Sequence, residues 1–392
     1  MLLFLASFFL VYGGMHWYGY RTTLAAIPLG HRARRLLVAA LVFLASAPIL
    51  VRMAERTGYV TVAATIAWFG YLWMGFLFLF VVIAGAVDLV RSGWRLAGWL
   101  ARRPAVGLPA RWGGLPFWLA CPLALLLCGY GWQEAKDVQL TRVVIPSAKL
   151  PVSAAPLRIV QLSDLHLGLL VGRQRLERML AQVRAARPDV LVVTGDLVDA
   201  QADGLVMLAD RFRTIAPRYG KYAVTGNHEY YVGIDQSLAF AKAAGFTVLQ
   251  GQTVRVGDHG AIAGVDDPVG VAMGRAAADE EQRVAAAQDR SRFAILLKHR
   301  PEVTPASARV FDLQLSGHVH GGQIAPFNLL TWLAYPVPTG LTKSAAGALL
   351  YVSRGSGTWG PPLRLLSPPE VTLIEVVPAT ITARSWSSTA GP

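Results

Sequence analysis

Charged residues and cysteines are scarce in this sequence. Only 16% of the 392 residues are Asp, Glu, Lys or Arg, and 54% are hydrophobic. This balance excludes an intrinsically disordered chain and is too apolar for an ordinary soluble protein. The two cysteines, Cys121 and Cys128, lie in one apolar run, which argues against a disulfide framework and a thiolate metal site. No internal repeat or low-complexity tract is evident. We therefore expect a partly membrane-embedded protein.

The excess of basic residues is concentrated in the apolar half of the chain. Residues 1–150 hold 14 Lys and Arg against 4 Asp and Glu, whereas residues 151–392 hold 23 against 20. Basic residues beside apolar runs are typical of lipid headgroup contact and membrane topology. The near balance of charge in the second half argues against a dedicated nucleic-acid substrate.

Four apolar runs precede residue 135, and about 20 helical residues cross the roughly 30 Å hydrocarbon layer of a bilayer. The runs predict an all-α membrane region, residues 1–135, with about four transmembrane helices. They cover residues 1–20, 36–51, about 60–84, and 115–132. We expect the first run to be retained as an anchor, because it lacks the basic start and the clear cleavage site of a signal peptide.

Basic residues in the connections predict the orientation in the membrane. The first and third loops carry nine Arg residues and the second carries two. Because short basic loops stay in the cytoplasm, we expect a multi-pass protein of the cytoplasmic membrane with everything after residue 135 on the extracytoplasmic side. Trp and Arg alternate between Trp94 and Trp112, which fits either a helix in the membrane interface or an ordinary basic loop.

Short β-rich runs and helical runs alternate in the second half and predict an α/β domain. The expected strands are residues 157–163, 190–194, 221–225, 293–298 and 313–316, and the expected helices are residues 174–186, 204–215 and 235–244. We predict a linker over residues 136–156, the α/β domain over residues 157–378, and a flexible tail over residues 379–392.

Polar residues that could bind a metal follow the ends of the predicted strands. Five of the eight histidines in the chain lie in these segments. The residues are Asp164 and His166 in SDLHLG, Asp196 in TGDLVD, Asn227 and His228 in TGNHEYY, His299 in LLKHRP, and His318 and His320 in SGHVHGG. Ligands bind where loops meet at one edge of an α/β sheet. Each segment alone is common turn chemistry, but together they predict a metal site.

The same segments, in this order, resemble the five blocks of the calcineurin-like metallophosphoesterase superfamily. The segments GHVHGGQ, AGVDDP and RGSGTWGPPLRLLSPPE further resemble the bacterial YkuE/YaeI-like branch. The resemblance implies a four-layer sandwich of two mixed β-sheets flanked by helices. Together with the membrane region, it implies a metal-dependent phosphoric ester hydrolase that is anchored in a membrane.

Carboxylate, imidazole and amide ligands without thiolate suit Mn, Fe or Zn, and seven ligands are too many for one open catalytic ion. We therefore expect two divalent metal ions. By similarity to the family, Asp164, His166 and His320 hold the first ion, Asn227, His299 and His318 hold the second, and Asp196 bridges them. Such a pair shares a hydroxide that attacks the phosphorus in line with the leaving group.

The resemblance also implies that His228 assists the leaving oxygen as a general acid, whereas a purely structural role in the turn is the alternative. We expect Asp199 to be a solvated loop residue, with the orientation of a metal-bound histidine as the alternative. Tyr230, Tyr231, Gln323 and Arg354 are candidates for substrate contact, and exposed residues of these types are also common without a function.

The leading hypothesis is a phosphoesterase acting on a phosphodiester or pyrophosphate bond, in a substrate that the membrane anchor suggests is lipid-linked. The alternative from another class is a membrane sensor or scaffold whose phosphoesterase fold binds a phosphorylated ligand without turnover. A protein phosphatase or nuclease is a third possibility. The sequence predicts neither the physiological substrate, the native metal nor the oligomeric state.

Overall fold

A computed structural model describes residues 2–101, 113–199, 205–344 and 347–379. The chain divides into two compact units. The first comprises residues 1–133 with residues 360–363, and the second comprises residues 134–359 with residues 364–392. Most of the predicted tail, and the part of the third membrane loop between residues 102 and 112, lie outside the described residues.

The first unit is all α-helical. Its helices are α1 (Leu2–Ala26), α2 (His31–Arg56), α3 (Val60–Leu100) and α4 (Leu115–Glu134). Among the described residues, α2, α3 and α4 are long and apolar enough to cross a membrane. The 41 residues of α3 extend about 60 Å at 1.5 Å per residue, twice the thickness of the hydrocarbon layer.

Residues 91–100 belong to α3, so this part of the predicted third loop is neither a separate interfacial helix nor an irregular loop. Small residues allow close contacts between the helices. A Cβ atom at Gly70 of α3 would lie 2.4 Å from the Cβ of Ala47 in α2, a spacing that only glycine permits. Such small-residue contacts are typical of helices that pack in membranes.

The second unit contains two mixed six-stranded sheets. Their strands are β1 (Gln139–Ser147), β2 (Leu157–Leu162), β3 (Val190–Thr194), β4 (Lys221–Val224), β5 (Thr247–Val248), β6 (Gln252–Val256), β7 (Gly260–Gly264), β8 (Phe293–Leu297), β9 (Leu313–Ser316), β10 (Gly340–Lys343), β11 (Leu349–Val352) and β12 (Glu370–Pro378). The first sheet has the order β1-β12-β2-β3-β4-β5 and the second has the order β10-β11-β9-β8-β7-β6. The neighbours β2, β3 and β4 are parallel, as are β8 and β9.

Helices cover the outer faces of both sheets. The helices of this unit are α5 (Arg173–Ala186), α6 (Val206–Arg213), α7 (Asn227–Val232), α8 (Ile234–Ala243), α9 (Pro268–Ala272), α10 (Glu280–Ala286), α11 (Pro305–Ala308) and the exposed α12 (Asn328–Ala334), with a short 3-10 helix at His320–Gly322. The predicted four-layer sandwich of two mixed sheets flanked by helices is confirmed.

Strand residues alternate between two cores, because successive side chains point to opposite faces of a sheet. In β2, Ile159 packs between the two sheets with Ile295 of β8, whereas Val160 packs beneath α5 with Leu176. Strands that are buried on both faces read as continuous apolar runs, and this pattern is the reason that β2, β3 and β8 are visible in the sequence.

The segment predicted as a linker contributes a strand. Gln139–Ser147 forms β1 and pairs in parallel with β12 over its whole length. Its side chains alternate between exposed and partly buried positions, and Ile145 is buried. As an edge strand it contains few core residues, so its short apolar pattern resembles that of a loop. The remaining part of the predicted linker, residues 148–156, connects β1 to β2.

Candidate metal centre

Seven side chains predicted as metal ligands lie together where strands of the two sheets end. Asp164 and His166 follow β2, Asp196 follows β3 and Asn227 follows β4. His299 follows β8, and His318 and His320 follow β9. Because parallel neighbouring strands end at the same edge of a sheet, each sheet brings its own set of loops to the site.

One group of ligands is formed by Asp164, His166 and His320. The Nε2 atom of His166 lies 3.0 Å from the Nε2 atom of His320, which in turn lies 3.4 Å from Oδ1 of Asp164. Ligand atoms that share a cation at about 2.1 Å are roughly 3–3.5 Å apart. The spacing of these three side chains therefore fits one common cation.

A second group is formed by Asn227, His299 and His318. The Nε2 atom of His299 lies 3.2 Å from Oδ1 of Asn227 and 3.1 Å from Nδ1 of His318. Asp196 lies between the groups, since its Oδ2 atom is 3.3 Å from Nε2 of His299 and 3.7 Å from Nε2 of His166. One carboxylate is thus within reach of both groups.

The backbone is strained at this site. Eight described residues other than glycine have a positive φ angle, and five of them are predicted ligands. They are Asp164, His166, Asp196, His318 and His320, with φ values between 49° and 73°. For a residue that carries a side chain, the left-handed conformation is less stable by about 1–2 kcal/mol. Such strain is concentrated at functional sites.

Two glycines allow the loops to approach this closely. A Cβ atom at Gly317 would lie 2.2 Å from Oδ2 of Asp164. A Cβ atom at Gly226 would lie 2.2 Å from Oδ1 of Asp196. Any larger residue at either position would displace a candidate ligand. Gly317 in SGHVHGG and Gly226 in TGNHEYY are therefore needed for the close packing of the ligand loops.

Two histidines of this site are neutral near pH 7, the form that binds metals. Burial lowers the pKa of His166 to about 4 and that of His318 to about 3. Although burial opposes the charged imidazole of His299, the carboxylates of Asp196 and Asp164 raise its pKa to about 10. Nδ1 of His299 lies 2.8 Å from the carbonyl oxygen of Thr194, which can only accept, so Nδ1 donates and Nε2 faces Asp196. Among the residues that the structure describes, the buried Nδ1 atom of His166 has no hydrogen-bond partner. These donor atoms fit divalent cations.

The buried carboxylate of Glu229 ties two of the ligand loops together. It accepts hydrogen bonds from the backbone N–H groups of Asp196, Leu197, Val198 and Gly226, at distances between 2.7 and 3.2 Å. It therefore fixes the loop after β3 against the start of α7. The Glu in GNHE is part of the recognised block, but its role in joining the two loops is visible only in the structure.

His228 directs its ring toward Asp199. Its Nδ1 atom lies 3.0 Å from Oδ1 of Asp199, so the expectation that Asp199 is a solvated loop residue is wrong. Both side chains are largely buried, which explains why this pair forms. Although burial opposes the charged imidazole, the carboxylates of Asp196 and Asp199 raise the pKa of His228 to about 9. The rings of Tyr231 and Trp359 lie 5.6 Å from the ring of His228.

Three of the four residues predicted to contact the substrate contact other parts of the protein instead. Tyr230 is buried and its hydroxyl lies against Gly270, whereas the adjacent Tyr231 is exposed beside His228. Gln323 holds Trp359 through two hydrogen bonds to its backbone. The guanidinium group of Arg354 forms an ion pair with Glu370 at 2.7 Å. Tyr231 and Trp359 are therefore better candidates for the rim of the site than Tyr230, Gln323 and Arg354.

Arg364 supports the ligand loops from within the protein and was not predicted. Its side chain is fully buried. It donates hydrogen bonds to the carbonyl oxygens of His320 at 2.9 Å, Arg354 at 2.6 Å and Gly357 at 2.6 Å. Nothing local in the sequence distinguishes it from a surface arginine, because its partners lie in the 3-10 helix of His320 and in the loop after β11.

Two mixed sheets that carry a histidine and carboxylate cluster at their strand ends define a metal-dependent hydrolase. The family model of the calcineurin-like phosphoesterases matches residues 157–322. An uncharacterized metallophosphoesterase of Aquifex aeolicus is 39% identical over 256 residues, which are 65% of this chain and 97% of that protein. The chain belongs to the calcineurin-like metallophosphoesterases, and it is a metal-dependent phosphoesterase.

Two further relatives agree with this membership. The uncharacterized metallophosphoesterase YkuE of Bacillus subtilis is 32% identical over 62% of this chain and 88% of that protein. A zebrafish (Danio rerio) protein described as a transmembrane protein with metallophosphoesterase domain is 34% identical over 65% of this chain and 61% of that protein. The predicted resemblance, including that to the YkuE-like branch, is confirmed.

Proposed function

We propose that this protein is a multi-pass protein of the cytoplasmic membrane that holds two divalent cations and hydrolyses a phosphodiester or pyrophosphate bond. The position of Asp196 carries the proposal, because its carboxylate lies within 3.7 Å of an imidazole nitrogen from each group of ligands. A carboxylate shared by two cations is typical of two-metal hydrolases, in which the ions are roughly 3.5–4 Å apart.

The side chains have distinct roles in this proposal. The group around His166 would hold one cation, the group around His299 would hold the other, and Asp196 would contact both. When bound, the cations would neutralise charge on the phosphoryl oxygens and provide a hydroxide nucleophile near neutral pH. Manganese, iron and zinc all suit these ligands.

His228 is the proposed general acid. Its Nδ1 atom donates to Asp199, which leaves Nε2 to face the substrate and to give its proton to the leaving oxygen. Such proton transfer contributes about 10²- to 10⁴-fold to the rate. Asp199 keeps the ring in this orientation and stabilises its charged form.

The substrate is proposed to be lipid-linked and the second unit to lie on the extracytoplasmic side. The candidate membrane spans in the same chain support a lipid-linked substrate. The nine Arg residues in the first and third loops, against two in the second, support the extracytoplasmic location. A reporter enzyme fused after residue 378 tests the orientation. Activity of that reporter only in the cytoplasm would contradict it.

The decisive experiment measures metal content and hydrolysis in the full chain, purified in detergent. We expect about two metal ions per chain and cleavage of bis-p-nitrophenyl phosphate, both strongly reduced in Asp196→Asn. Asp210→Asn, which changes an exposed carboxylate on α6, is the matched control and should behave like the unmodified protein. Metal-free protein that stays inactive after addition of Mn²⁺ would instead favour the membrane sensor or scaffold.

A further inference from the structure

The helix α12 carries no charged residue, five of its seven residues are apolar, and none of its residues is buried. Leu329, Leu330, Trp332 and Leu333 are between 55% and 70% exposed. No Asp, Glu, Lys or Arg occurs between Gly321 and Thr342. Contiguous exposed apolar surface of this kind marks a site of interaction with a protein or a membrane.

The helix is attached directly to the candidate metal centre. It begins six residues after the 3-10 helix that contains His320, and a Cβ atom at Gly322 would lie 2.3 Å from the Cα of Asn328. Just beyond its end, the ring of Tyr335 lies 5.2 Å from the ring of His318, edge to face. Whatever α12 binds is therefore held beside the site.

We propose that α12 inserts into the interface of the membrane that anchors the chain. The chain carries helices that are apolar and long enough to cross a bilayer, and anchoring by these helices would place a bilayer beside every copy of the protein. Docking of α12 is then an intramolecular event, which is favoured by a high effective concentration. Trp332 suits this location, because Trp is enriched at the level of the lipid headgroups.

A second copy of the protein fits this surface less well. Four side chains that are each little more than half exposed present about 400 Å², half of the ~800 Å² that one partner contributes to a stable interface. A bilayer needs no matching partner surface and tolerates a short helix without charges. The bilayer is therefore the occupant that the composition and the size of α12 favour.

Insertion would hold the metal centre next to the headgroup layer, where the phosphate of a lipid-linked substrate lies. This consequence rests on the proposed phosphoesterase substrate, whereas the insertion itself rests only on the proposed membrane anchoring. The two can be tested separately, because insertion is measured by fluorescence without any turnover.

The experiment uses the full chain in liposomes of phosphatidylethanolamine and phosphatidylglycerol. In a Cys121→Ala/Cys128→Ala background, Leu333→Cys carries an environment-sensitive fluorophore, and the lipids carry spin labels on their acyl chains. We expect quenching and a blue-shifted emission. Asp210→Cys, at an exposed position on α6, is the control and should be quenched little. Equal, weak quenching at positions 333 and 210 would overturn the proposal.

Two further measurements separate the alternatives. Leu329→Asp combined with Leu333→Asp should abolish the quenching of a fluorophore at Leu330→Cys and leave hydrolysis of bis-p-nitrophenyl phosphate unchanged. It should reduce hydrolysis of a phosphodiester embedded in the liposomes about 10-fold or more, because the metal centre is then no longer held at the headgroup layer. Efficient disulfide formation between two copies of Leu333→Cys, without quenching, would identify a second copy as the occupant and refute insertion.

Discussion

Replacement of the buried Arg364 by Met should destabilise the second unit and weaken its metal site. The guanidinium group donates to carbonyl oxygens of His320, Arg354 and Gly357, and Met is similar in length but cannot donate. A buried polar group that loses its partner costs about 1–3 kcal/mol. The variant no longer buries a charge, which offsets part of this cost. We therefore expect a net decrease of about 3 kcal/mol in the free energy of unfolding.

Thermal unfolding and metal content of the full chain in detergent measure this effect. For a domain of this size, about 3 kcal/mol lowers the melting temperature by roughly 6–12 °C. Because one of the lost hydrogen bonds goes to the backbone of His320, a candidate ligand, the variant should also release metal to a chelator at a lower chelator concentration. The melting temperature and metal retention of Arg364→Lys should lie between those of Arg364→Met and the unmodified protein, since a single ammonium group reaches fewer carbonyl oxygens.

A surface arginine provides the control. Arg184 on α5 is 43% exposed and pairs with Glu177 at 3.4 Å. Exposed ion pairs contribute about 0–1 kcal/mol, so Arg184→Met should leave both readouts near those of the unmodified protein. If Arg364→Met melts within about 2 °C of the unmodified protein and retains its metal equally well, the role assigned to Arg364 is refuted.

Three other changes have defined outcomes. Asp199→Asn should lower kcat about 10- to 100-fold with unchanged metal content, because it disturbs the general acid His228; a loss of metal instead would indicate a structural role. Gly317→Ala should abolish metal binding, because its Cβ would meet Asp164, whereas Gly172→Ala, with open space around it, should not. A shortened chain that starts at residue 150 lacks β1 and should aggregate or melt earlier than one that starts at residue 134; equal melting curves would contradict the contribution of this strand.

The sequence predicts the strands β2, β3, β4, β8 and β9, but neither the edge strands nor the internal strands β7, β11 and β12. β3 and β8 are buried along their whole length, so their composition alone distinguishes them from loops. In β1 and β10 only alternate side chains are even partly buried. The position of β1 is fixed by pairing with β12, which is distant in sequence, and that of β10 by pairing with β11, which follows after a turn. Local composition does not indicate such pairing.

The same distinction applies to the site. The candidate ligands could be predicted because each follows a recognisable strand, and the topology of the sheets then brings them together. The substrate contacts could not, because they depend on the direction of single side chains. In α7 the buried Tyr230 and the exposed Tyr231 are neighbours, and only the packing of Tyr230 against Gly270 decides which of them faces the site. Arg364 was missed for a related reason, since its partners are assembled by the fold.

The strained backbone of the ligand loops shows how the two sheets serve the site. Left-handed residues persist only where the surrounding structure holds them. Here Glu229 fixes the loop of Asp196 through three backbone hydrogen bonds, and Arg364 donates a hydrogen bond to the carbonyl oxygen of His320. Both supports are anchored beside strands that are buried on both faces. The cores of the sheets therefore stabilise a ligand geometry that the loops alone would not adopt.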